Sequence, residues 1–271
     1  MTTCLRLLSL SSLMLIFGQS ALGCFPSKSN DMPTLTTTTP PTTCMNVQNA
    51  GYDIGFVHDV SQEGEAQLMT QKRIEEFTNK FTMGSGPKEA RFASRLYKSQ
   101  EKDDKTSKNG KGNKPKNLAA SPHSAISFAK HTTHDGFAKD LHDAFAQIPR
   151  AEKDKEPQQR LHDLIASHLM NEWKAGLPNR SVPVKKALII FMVHKQEDEI
   201  DISAFRNEGI RPYVVQYSSA TKNFRHHGDA FTDNRPASVF WAEDTTEDHM
   251  KPIMDKIYED FMAWDGCWKD K

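Results

Sequence analysis

Tyr52-Asp-Ile-Gly-Phe-Val-His-Asp59-Val-Ser61-Gln-Glu63 is the stretch that decides the fold of this 271-residue chain. It starts in polar residues, runs apolar through its middle and stops at a polar loop. Lys185-Lys-Ala-Leu-Ile-Ile-Phe-Met-Val-His194 has the same profile, and at a helix's distance Gly209-Ile-Arg-Pro-Tyr-Val-Val-Gln-Tyr217 follows it. A strand buried on both faces has this profile, with its functional loop at the carboxyl end. The Asp59-x-Ser61 pair therefore falls where such sheets place ligands.

Working outward, strands and helices alternate. Gln62 to Phe81 is expected to be a helix with an imperfect apolar stripe of Met69, Ile74, Phe77 and Phe81. Ala90 to Tyr97 is expected to be a strand, and Ser124 to Ala129 a short edge strand. Phe137, Leu141, Ala144, Phe145 and Ile148 form one helical face; Leu161, Leu164, Ile165, His168, Leu169 and Trp173 form a longer one. A short helix from Ile200 to Asn207 ends at Gly209, in the usual terminating role. Ser238 to Trp241 is expected to be a strand, and Met250, Ile253, Met254, Ile257, Phe261 and Trp264 set a last helix at helical spacing. The alternation implies a doubly wound, mostly parallel α/β sheet with helices on both faces.

Charge is balanced at 35 basic and 35 acidic residues, so nothing overall favours nucleic acid or an anionic membrane as a partner. Residues 1–23 have the pattern of a secretory signal peptide: Arg6 is the only charge, Leu7 to Phe17 form an apolar core too short to span a membrane, and Ala21-Leu-Gly23 offers a cleavage site. Residues 24–49 are expected to be a stalk built around the Thr/Pro run Thr34 to Thr43, which cannot bury a core and suits O-glycosylation. The folded domain is expected over residues 50–267, with a disordered Lys-rich insertion at 99–117 and a tail at 268–271. A secreted, extracellular location follows. Asn179-Arg-Ser181 is the one Asn-x-Ser/Thr sequon, in a loop before the buried strand, so Asn179 is the expected glycosylation site. No Gly-x-Ser-x-Gly elbow, phosphate-binding glycine loop or catalytic cysteine signature occurs, and no enzyme activity is expected.

The segment from Asp53 through Asp59, Ser61 and Glu63 resembles the opening of a von Willebrand factor type A domain, whose first strand ends in Asp-x-Ser-x-Ser. The block from Lys185 to Tyr217 is similar to that family's strand, short helix, Gly-Ile and strand. The resemblance runs from about Tyr52 to Trp264, and it is nearest to the diverged type A domains of secreted nematode proteins. It implies a binding or adhesion module that engages an extracellular protein or matrix component.

In metal-binding members a divalent cation, usually magnesium, sits among an Asp and two hydroxyls of the first loop, a Thr of a second loop and an Asp ending the fourth strand. Asp59 and Ser61 match the first two positions, while Glu63 replaces the second hydroxyl. Val193 and His194 stand where the fourth strand should end in Asp-Gly. The Thr position falls on Lys155 or its neighbours if the helix beginning near Glu156 follows that loop, which is the preferred register; the other register uses Thr133. In both, the set is incomplete, so no cofactor is expected at the remnant Asp59, Ser61 and Glu63, and binding is expected to be metal-independent. A buried Asp59 satisfied by backbone donors is the expectation. The alternatives are magnesium held at Asp59 and Ser61, a rearranged zinc site of His58, Asp59, Glu63 and His194, a secreted enzyme with a non-standard site near Asp59 and His194, and a structural secreted protein without a dedicated ligand. Because Cys44 and Cys267 bracket the domain, and the family often bridges its two ends, they are the expected disulfide, with unpaired thiols as the alternative and Cys24 left odd.

Overall fold

The computed structural model describes residues 50–60, 65–97, 125–146, 165, 169–174, 182–193, 202–217, 232 and 238–266, all within one unit spanning Thr42–Lys271. The expected signal peptide, stalk and insertion lie outside the described residues, as do Ser61, Glu63, Cys24, Cys44, Cys267, Lys155, Asn179 and His194.

Seven strands make one sheet: β1 (Gly51–Asp59), β2 (Thr82–Met83), β3 (Glu89–Tyr97), β4 (Ala125–Ile126), β5 (Val184–Met192), β6 (Ile210–Tyr217) and β7 (Val239–Ala242). Their order is β2-β3-β1-β5-β6-β7, with β4 also against β3. Among the described pairings, only β3–β4 is antiparallel. Five described helices accompany them: α1 (Glu65–Thr78), α2 (His134–Ala146), α3 (Met170–Lys174), α4 (Ile202–Asn207) and α5 (Glu247–Ala263). This is the expected doubly wound α/β sheet. The two apolar runs are central neighbours, paired Ile54 to Ala187, Phe56 to Ile189 and His58 to Phe191.

All nine residues of β1 are buried, because alternate side chains enter different cores. Tyr52, Ile54 and Phe56 join Ala187, Ile189 and Phe191 under the buried faces of α1, α2 and α5. On the other face Val57 meets Leu188, Ile190, Trp173 and Phe205. Each fully buried Phe contributes about 2–3 kcal/mol of apolar transfer, which is why two such runs suffice to centre the sheet. Gly55 faces Trp173; a Cβ added there would lie 3.2 Å from the indole ring, so the glycine admits the close approach.

Local chemistry sets the boundaries. Gly209 takes φ 63°, the left-handed turn that ends α4 and feeds β6. β6 begins at Ile210 and passes through Pro212. β7 pairs only from Val214 onward, so Pro212 lies on a stretch of β6 that has β5 as its one neighbour. β2, only two residues long, carried no periodicity to be seen beforehand. In α5, Met250, Met254, Ile257 and Phe261 are buried at the expected spacing.

The amino-terminal end of the sheet is tied by charge. Arg91 of β3 grips Asp53 of β1 through both carboxylate oxygens at 3.1 Å, and both residues are buried. Lys185 of β5 donates to the Met262 carbonyl at 3.0 Å, holding the last turn of α5.

Candidate functional site

The carboxyl-terminal ends of β3, β1, β5 and β6 meet around Asp59. Asp59 is the last residue of β1 and only 2% exposed. Its Oδ2 accepts the backbone N–H of Val193 at 3.3 Å, directly beyond the end of β5. Its backbone carbonyl accepts the Tyr217 hydroxyl from the end of β6 at 3.1 Å, crossing over β5. On the other side Val60 N–H donates to the Tyr97 carbonyl at 2.8 Å, and the Tyr97 hydroxyl donates to the Phe191 carbonyl at 3.3 Å. α1 is fastened to the same point: Gln67 Nε2 donates to the Val60 carbonyl at 3.0 Å.

Four strand ends are thus laced together by hydrogen bonds through or beside Asp59. The electrostatics follow the geometry. Burial, first, and then the negative charge of Asp59 push the Tyr97 and Tyr217 phenols well above the ordinary tyrosine value; at Tyr217 a hydrogen bond involving Thr70 acts the other way. Both phenols therefore remain neutral hydrogen-bond donors at any ordinary pH. At the end of β5 a backbone N–H is presented to the Asp59 carboxylate. Among the described residues, no group of three or more His, Cys, Asp or Glu gathers as metal ligands.

Thr133 is not brought to Asp59. β4 runs opposite to β3, so α2 starts near the amino-terminal end of the sheet and climbs. His134 at its start donates through Nε2 to the Phe81 carbonyl, 2.8 Å away beyond the last turn of α1. Phe145 near its other end reaches the His58 ring, centroids 5.6 Å apart. Thr133 therefore sits at the far end of the sheet, where its hydroxyl accepts the Gly136 N–H at 3.3 Å as a helix cap. Asp59, which matches the family pattern, is joined to Val193, which departs from it, and Thr133 of the alternative register is separated from both.

His58 also departs from its expected alternative role as a ligand. Strand alternation turns its ring away from Asp59 into the aromatic core, stacked on Phe191 at 5.0 Å and 13° and near Phe56 at 6.2 Å. Among the described residues neither ring nitrogen meets a hydrogen-bond partner. Burial alone lowers its pKa from 6.5 to about 3, so it is neutral in the folded protein at physiological pH.

Sequence reasoning did not single out Tyr97 and Tyr217. A signal was present: each is an aromatic with a polar tip closing an apolar strand, at the end where the ligand loop begins.

No family model matches the chain, and no curated protein matches it. Among solved structures, proximal thread matrix protein 1 from the mussel byssus, in a form described as having a zinc-occupied MIDAS motif, is similar at 13% identity with a TM-score of 0.51. That alignment covers 79% of this chain and 46% of the mussel protein. A second crystal form of the same mussel protein gives 12% identity, a TM-score of 0.50 and coverage of 79% and 46%. The chain spans less than half the length of these neighbours. At that identity the likeness concerns architecture, and it agrees with the strand order and the antiparallel edge strand: the chain has a von Willebrand factor type A-like fold.

Proposed function

We propose that this chain is a secreted, non-catalytic binding module that engages an extracellular protein or matrix component without a metal ion. The observation that carries the reading is the Val193 N–H donated to the Asp59 carboxylate at the strand end where the family resemblance calls for a second acid. A carboxylate oxygen that accepts this hydrogen has less lone-pair capacity for a cation. The mussel neighbour is described with zinc; in this chain, among the described residues, zinc would meet one buried carboxylate and two neutral phenols, a poor match to its preference for thiolate, imidazole and carboxylate. A non-catalytic role is consistent with the same groups. The phenols are held protonated and committed to backbone carbonyls, so neither is poised to exchange a proton near neutral pH. The extracellular assignment rests on the signal-like residues 1–23 and the Thr/Pro stalk.

The test is affinity capture from extracellular extract using the whole secreted chain, with and without a chelator, alongside titration calorimetry with magnesium, manganese and zinc. Capture of a partner that is unchanged by chelation, together with no heat of metal binding, is the expected result. Submillimolar binding of any of the three metals that disappears in Asp59→Ala overturns the metal-independent reading.

A further inference from the structure

We draw no further inference here: the strongest candidate, the fully buried His58 imidazole stacked between Phe56 and Phe191 beneath the end of α2, directly precedes Asp59 of the site already described, and nothing among the described residues shows a ligand or partner for its ring nitrogens.

Discussion

β1 carries two buried aspartates on the same face, one at each end, and they are treated differently. Asp53 at the amino-terminal end is gripped by the guanidinium of Arg91, charge against charge, through two hydrogen bonds. Asp59 at the carboxyl-terminal end accepts a backbone N–H, and its charge is felt by two neighbouring phenols. A bidentate guanidinium–carboxylate pair fixes geometry and cancels charge locally. The other end keeps a carboxylate whose field reaches Tyr97 and Tyr217. The contrast teaches that the lower end of β1 is built as a fixed anchor, whereas the upper end is a lacing of neutral groups around one acid. That upper end is the carboxyl-terminal edge at which open α/β sheets place ligands, and it is the end that substitutions and pH should disturb selectively.

The largest effect should come from breaking the anchor. Arg91→Ala leaves the Asp53 carboxylate buried without its guanidinium and should cost about 3–5 kcal/mol, read from urea unfolding. A loss under about 1 kcal/mol would show that the lower end is not an anchor and erase the contrast.

Acid should act on the upper end through His58. Its folded value is about 3 and its ordinary value 6.5, so the unfolded chain takes up the proton first. The stability tied to its neutral form is therefore fully present above pH 6.5 and is lost as pH falls from there towards 3. At pH 5 the loss should be about 2 kcal/mol relative to pH 7.5. His58→Phe places an apolar ring among Phe56, Phe145 and Phe191 and should flatten that part of the pH–stability curve. If wild type and variant fall in parallel between pH 7.5 and 5, the acid sensitivity belongs elsewhere.

Removing one strand of the lacing should have a smaller effect. Tyr217→Phe deletes the donor to the Asp59 carbonyl and should cost about 1–2 kcal/mol, with hydrogen exchange quickening at the end of β1 and the start of α1 while Tyr52 to Ile54 stay protected. Uniform quickening along β1 would mean that its two ends are not independent.

The smallest expected effect is that of metal. Millimolar magnesium should leave the melting temperature unchanged in wild type and in Tyr217→Phe alike, measured by calorimetry. A rise that depends on Asp59 would turn the upper end from a laced closure into a cation site, by the linkage of binding to stability.

Different parts of the molecule were legible in the sequence to different degrees. Ile54 to Val57 and Leu188 to Phe191 announced themselves because a strand buried on both faces has little choice but an apolar run. The stripe of α5 was equally plain, since a surface helix must repeat its apolar residues at helical spacing. Asp59 was found by its place at the end of the first run. Its partners were not: the Val193 donor is a backbone N–H and so has no residue type to betray it, and Tyr217 lies 158 positions away. Thr133 was ambiguous by spacing alone, and the antiparallel turn of β4 removes it to the other end of the sheet.

Residue pattern alone was enough for the layered α/β architecture, the central pair of strands, the covering helices and the acid at the strand end. These depend on hydrophobic periodicity, which is a local property written residue by residue. Only the fold sets what surrounds that acid: a backbone hydrogen from beyond β5, a phenol at the tip of β6 and another at the tip of β3. Such contacts depend on strand order and on which ends converge. Those follow from the way the chain winds, and no local pattern encodes them.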